Sequence, residues 1–374
     1  MCPSMLGRCL RITRACEVLH SLGGASTPIL SGSMWRAAAR LGRRSFLRGG
    51  IALAGAGLLS GCVSVPFSAQ RASGPRTIGF LAPATGPYIG TPAAVYEAFR
   101  RGLGDLGYVE GRDVILDYRA GADRAQLAEL AAELVRQKVD LIVAAGVAAF
   151  AIQTPTETIP VVFGFSGDPV EAGFVDSLAH PGRNMTGMTF LDDQLGAKRL
   201  ELLQQVAPNI RRVAVLAYPG HPGARREWQG AEAAAQSLGM APRLLEVSSA
   251  EDFDRAFAAM AAEPQDALLA FADNITLAHR ARIADFAAGR RLASGFSWKE
   301  YVEAGGLLSY GPSLEASWAR VAAYADKVLR GAKPADLPVE QPTTFELVVN
   351  LKTAAALGLS IPPAVLQQAT ELIQ

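Results

Sequence analysis

The run Val161-Val-Phe-Gly-Phe-Ser-Gly-Asp-Pro169 passes from five apolar residues of strand type into small and polar ones, and Asp168-Pro169 then has the form of a helix start. A buried strand that gives way to Ser and Gly before a helix suits an open α/β sheet, in which ligands bind beyond the carboxyl ends of the strands. The run is therefore expected to be one wall of a small-molecule cleft and the last strand of a first lobe.

Outward from this run the same alternation recurs. Upstream, a strand is expected over 76–82, then a loop rich in Pro and Gly over 83–92, then helical spacing through Ala94, Phe99, Leu103 and Leu106. Gly107-Tyr-Val-Glu-Gly111 turns into a strand over 114–118, a helix follows over 127–135, and Val139-Asp-Leu-Ile-Val-Ala-Ala-Gly146 is a buried strand ending in small residues. After Asn184-Met-Thr-Gly-Met-Thr-Phe190 the pattern restarts, with helices expected at 194–206, 224–238, 250–262 and 275–289 and strands at 212–217, 243–247, 267–271 and 291–296. Strands separated by helices of this length pair in parallel through right-handed crossovers.

The tail adds a lone strand at 305–310, a helix at 314–329, an extended Pro-rich segment at 333–342 and a further apolar run at 345–351. With no third lobe in prospect these elements return to the two lobes, which requires several crossings, and several crossings make a hinge. The expected division is 76–187 with about 306–336 as lobe 1, and 188–305 with about 337–374 as lobe 2.

A chain of 374 residues, 50% hydrophobic and 19% charged, suits two such lobes. Its net charge of +1 hides an asymmetry, because 28 basic residues face 34 acidic ones after position 61, a net of −6. A mildly acidic body argues against nucleic acid as a partner. All four cysteines (Cys2, Cys9, Cys16 and Cys62) precede that body, which excludes an internal disulfide and a Cys-based metal site there. His180, His221 and His279 are too scattered for a metal centre and read as ordinary surface or loop histidines. No phosphate-binding loop of Walker type is present, so no metal or cofactor is expected.

The N-terminus reads as an address. Arg43-Arg44-Ser45-Phe46-Leu47, an apolar block over 51–59 too short to span comfortably, and Leu59-Ser60-Gly61-Cys62 form a cleavable export signal over 1–61. The last four residues resemble a bacterial lipobox, which makes Cys62 the lipidation site and 62–75 a tether. The paired arginines resemble a twin-arginine motif, with Sec export the alternative. A single transmembrane anchor is the competing reading, and residues 1–33 have the look of sequence translated upstream of a true start at Met34.

Gly107-Tyr-Val-Glu-Gly111, Phe165-Ser-Gly-Asp-Pro-Val170, Glu303-Ala-Gly-Gly-Leu-Leu-Ser-Tyr-Gly311, Gly331-Ala-Lys-Pro-Ala-Asp-Leu-Pro338 and Val348-Val-Asn-Leu-Lys-Thr353 resemble, in order and spacing, the ABC transporter substrate-binding proteins that include tryptophan and tyrosine binders. The resemblance covers about 76–374. It implies a type I periplasmic-binding-protein fold: α/β, with two doubly wound Rossmann-like lobes joined by three crossings. It also implies a small, amino-acid-like solute handed to a membrane permease driven by a separate ATPase, no enzymatic activity, and a lipid-anchored monomer at the periplasm or cell surface. A sensory module presenting a small molecule to a membrane receptor is the alternative.

In such a fold strand ends and helix N-termini line the cleft. The expected contributors are Ala84 and Thr85 after the first strand, Gly146, Val147 and Ala148 after the third, Phe165, Ser166 and Asp168, and from the second lobe Tyr218, Asp273 and Asn274. Asp168 before Pro169 also suits a helix cap, as does Asp273, whose other role is to receive a ligand ammonium. Gly164-Phe-Ser-Gly-Asp168 lacks the second glycine spacing of a nucleophile elbow, so Ser166 is a hydrogen-bonding group without a catalytic role. Trp298 and Glu300, where the chain leaves the second lobe, can stack on and pair with a ligand.

Overall fold

A computed structural model describes residues 74–84, 94–190, 192–221 and 223–374. The export signal, the tether, Cys62 and Thr85 lie outside the described residues.

The first lobe is laid down as β1 (Arg76–Pro83), α1 (Ala94–Asp105), β2 (Val114–Gly121), α2 (Arg124–Gln137), β3 (Leu141–Ala145), α3 (Ala148–Gln153), β4 (Val161–Phe165) and β5 (Met185–Thr189). Its five strands are parallel in the order β2-β1-β3-β4-β5. Every residue of β3 and β4 is buried, as expected of strands covered by helices on both faces. The run at 161–165 is therefore a wall of the sheet, but not its last strand: β5 follows at the edge. Gly187 allows that approach, since its φ is +150° and a Cβ there would lie 2.0 Å from the Phe163 carbonyl oxygen. Beyond β4 the expected helix is absent, and 169–173 is a turn.

The second lobe follows as α4 (Asp192–Val206), β6 (Arg212–Ala217), α5 (Ala224–Ser237), β7 (Ala241–Glu246), α6 (Ala250–Ala262), β8 (Ala267–Ala270), α7 (Asn274–Ala278), α8 (Arg280–Gly289), β9 (Ala293–Phe296), α9 (Lys299–Glu303) and β10 (Leu308–Gly311). The chain then supplies α10 (Leu314–Leu329), β11 (Glu346–Asn350), α11 (Leu351–Leu357), α12 (Pro363–Gln368) and β12 (Glu371–Ile373). The seven-stranded sheet runs β12-β11-β10-β9-β8-β6-β7, with only the β10–β11 pair antiparallel.

Two expectations about the tail are corrected here. The strand at 305–310 is not alone and does not return to the first lobe, because Leu308 pairs with Gly295 and Val349 in the second sheet. Within 306–336, α10 does return, packing on α1, β4 and β5. Val339 is buried in the first-lobe core, and Glu340 exchanges backbone hydrogen bonds with Gly187 and Thr189, so the final crossing falls after Glu340. The chain thus passes between the sheets after β5, after β10 and before β11.

Local chemistry sets the element starts. Asp123 accepts from the Gln126 N–H to begin α2, Ser249 from the Asp252 N–H to begin α6, and Ser313 from the Ala316 N–H to begin α10. The helix expected over 275–289 is broken at His279 into α7 and α8. None of the helices among the described residues is long and apolar enough to cross a membrane.

Candidate functional site

The carboxyl ends of β1 to β6, β8 and β9 converge on one cavity of about 110 Å³. It is walled by the first lobe through Ala84, Gly121, Asp123, Arg124, Gly146, Val147, Gly164, Ser166 and Phe190, and by the second through Tyr218, His221, Asp273, Asn274, Ile275 and Trp298. The lobes approach closely: a Cβ on Gly146 would lie 3.7 Å from Asn274 Nδ2, and one on Gly223 would lie 3.3 Å from the Ser166 carbonyl oxygen.

Eight expected site residues therefore line the cavity: Ala84, Gly146, Val147, Ser166, Tyr218, Asp273, Asn274 and Trp298. Four others sit elsewhere. Phe165 is fully buried among Phe150, Phe163 and Phe174, on the opposite face of β4 from Gly164 and Ser166. Ala148 is likewise in the core, one residue past the strand-end turn. Asp168 lies at the rim, where its Oδ1 accepts from the Val170 and Glu171 N–H groups, capping the turn that stands in place of a helix. Glu300, in α9, does not line the cavity; its Oε2 is buried with no hydrogen-bond partner among the described residues, and burial pushes its carboxyl up.

Asp273 is the N-cap of α7, its Oδ1 accepting from the Ile275 N–H at 2.7 Å. No cation pairs with it among the described residues, and burial pushes its carboxyl up to about 7. Facing the same cavity from the first lobe, Arg124 makes no hydrogen bond or ion pair among the described residues. Tyr218 stands within reach of both charges: burial raises its hydroxyl, the Asp273 carboxylate raises it further, and Arg124 opposes this.

Asp123, Arg124, His221 and Trp318 also line the cavity. Asp123 and Arg124 follow β2, which runs three residues beyond its expected end at 118, and that longer strand was the signal that would have found them. His221 is buried, not an ordinary loop histidine; its Nδ1 accepts from the Gly223 N–H at 3.1 Å and burial pushes it down to about 4, so the neutral ring offers Nε2–H as a donor. Trp318 of α10 forms an apolar wall with Leu314 and Phe190, its six-membered ring seated where Gly164 has no side chain: a Cβ there would lie 2.8 Å from the indole. No local pattern separates that Trp from a core residue.

At the rim Arg226, in the first turn of α5, pairs with Glu171 at 2.6 Å and Asp168 at 3.3 Å of the other lobe. Among the described residues no group of His, Cys, Asp and Glu could hold a metal ion. Among the described residues the arrangement offers a cation without an ion pair, Arg124, two helix-capping acids without one, Asp123 and Asp273, a neutral imidazole and an apolar wall.

Residues 90–373 match the family model described as ABC transporter substrate binding protein. A tyrosine-binding protein of Clostridioides difficile is 26% identical over 266 residues, covering 70% of this chain and 76% of that protein. The crystal structure of an ABC domain in complex with L-Trp from Streptococcus pneumoniae superposes with a TM-score of 0.71 at 26% identity, covering 80% of this chain and all (100%) of that one. A conserved domain protein from Vibrio cholerae matches with the same TM-score of 0.71 at 27% identity, covering 79% of this chain and 99% of its own.

Proposed function

Since the chain belongs to the ABC transporter substrate binding protein family, we propose that it captures a small zwitterionic, amino-acid-like solute in the interlobe cleft for uptake by an ABC importer. Members of the family are solute-binding proteins without catalytic activity of their own, and they work with ABC permeases. The observation that carries the reading is the pair of unpaired opposite charges, Arg124 from one lobe and Asp273 from the other, facing one cavity. A ligand with a carboxylate and an ammonium pairs with both; Arg124 is exposed, so the cost of an uncompensated ion falls on Asp273. Trp298, Trp318, Phe190 and Leu314 supply the apolar surface for its side chain. The L-Trp complex and the tyrosine-binding relative support the same ligand class.

Three crossings between the lobes make the hinge, and the solute, bound by both lobes, favours the closed arrangement by its differential contacts. Lipidation at Cys62 holds the monomeric protein at the membrane facing the periplasm or cell surface. A thermal-shift panel of the L-amino acids and nucleobases is expected to give stabilisation by at least one amino acid. No shift across the panel, with no co-purified solute in native mass spectrometry, argues against the reading. Small-angle scattering is expected to show a smaller radius of gyration with solute, and Cys62→Ser to release the protein from the membrane.

A further inference from the structure

Beyond Tyr218 the cleft continues into a second cavity of about 290 Å³, which shares Ala84, Ala122, Tyr218, Gly220 and Ile275 with the first. Its far side is formed by Ser248, Ser249 and His279. His279 occupies the break between α7 and α8 and is 8% exposed, with its ring against Phe253 at 4.4 Å between centroids. Neither ring nitrogen makes a hydrogen bond among the described residues. The residue is buried but its ring nitrogens are not shut off from solvent, so the cavity it lines is where a partner for them can sit.

The charges around this compartment define what fits. Burial and the neighbouring Arg282 guanidinium push the His279 imidazole down, so it is neutral and offers one donor and one acceptor. The start of α6 is already satisfied by its own acid: Asp252 accepts from the Ser248 N–H at 2.9 Å, and Ser249 caps the Asp252 N–H. Among the described residues no Asp, Glu, Lys or Arg side chain lines this compartment, and on the flanking helices Asp252 is paired with Arg255 and Arg282 with Asp254, so an anion entering here finds no free cation and a cation no free anion. An uncharged group that both donates and accepts, a carboxamide or a hydroxyl, meets neither penalty.

We propose that the solute carries, beside its ammonium and carboxylate, an uncharged hydrogen-bonding arm that passes Tyr218 and Ile275 and is held by His279, as the second side chain of a dipeptide would be. The inference rests on the zwitterion reading of the cleft and extends it from one side-chain compartment to two.

The test is calorimetric titration of the protein with L-tryptophan, L-tryptophanyl-glycine and L-tryptophanyl-glutamine. The glutamine dipeptide is expected to bind about tenfold more tightly than the glycine dipeptide, the value of one well-placed hydrogen bond in a buried site. His279→Leu is expected to erase that margin and leave the glycine dipeptide unchanged, whereas His279→Gln, which keeps a donor and an acceptor, retains part of it. Equal binding of the two dipeptides to the native protein overturns the proposal, whether or not the Leu variant folds, as does a margin that survives in His279→Leu. Binding of L-tryptophan with neither dipeptide overturns it too and leaves the zwitterion reading standing. Binding of none of the three, and of no other free amino acid, brings down both.

Discussion

Arg226 of the second lobe stands between two carboxylates of the first, 2.6 Å from Glu171 and 3.3 Å from Asp168, at the mouth of the cleft. Its position in the first turn of α5 places a cation where the helix dipole disfavours one, so the partners across the cleft are its main compensation. All three side chains are partly exposed, and such pairs contribute little each. Arg226→Ala is expected to weaken solute binding about threefold to tenfold, mostly through faster release, with the difference shrinking as salt is raised. Stopped-flow release at two ionic strengths measures both.

Asp273 ties stability and binding to pH. Its carboxyl rises from an ordinary value of 3.8 to about 7, so in the solute-free protein it favours folding at low pH and loses that contribution as pH rises through about 7. Asp273→Asn is expected to flatten this part of the melting profile. Binding runs the other way, because an ammonium needs the carboxylate: affinity falls by up to about tenfold per pH unit below about 7. In Asp273→Asn the affinity is expected to drop about a hundredfold or more and to lose that slope, as titrations from acid to neutral pH will show.

Gly164 holds the apolar wall in place. A Cβ there would press 2.8 Å from Trp318, so Gly164→Ala must displace the indole into the cavity or shift β4. The expected cost is about 1–3 kcal/mol of stability together with weakened solute binding, read by denaturant unfolding and titration of the same sample.

Arg199 and Glu227 form a fully buried pair at 3.1 Å that joins α4 to α5, and Arg199 Nε also donates to the Tyr310 carbonyl just before the second crossing. Arg199→Met is expected to cost about 3–5 kcal/mol by removing one partner of a fully buried ion pair. Arg199→Met combined with Glu227→Met is expected to cost less than the two single changes added together, a double-mutant cycle measurable by urea unfolding.

Much of the scaffold was legible because its strands are long apolar runs between helices, as in β1, β3, β4 and β6. The assignment of β10 was not, since a four-residue strand carries no record of its neighbours; its place is set by pairing with β9 and β11 across the sheet. At the site, the rule that ligands meet strand carboxyl ends located Gly146, Ser166, Tyr218 and Asp273. Phe165 shows where that rule needs a second one: alternation along β4 puts Gly164 and Ser166 on the cavity face and Phe163 and Phe165 in the core. Trp318 reaches the cleft only through the return of α10 to the first lobe, which a chain of local patterns does not contain.

The most direct test of ligand capture is calorimetric titration with the L-amino acids, followed, for the tightest of them, by the amine that lacks its carboxylate and the acid that lacks its ammonium. The two unpaired charges of the cleft lead to at least one amino acid binding at micromolar affinity or better, with either analogue about a hundredfold weaker and Arg124→Met abolishing the preference over the amine alone. An analogue that binds as tightly as its parent amino acid contradicts the account.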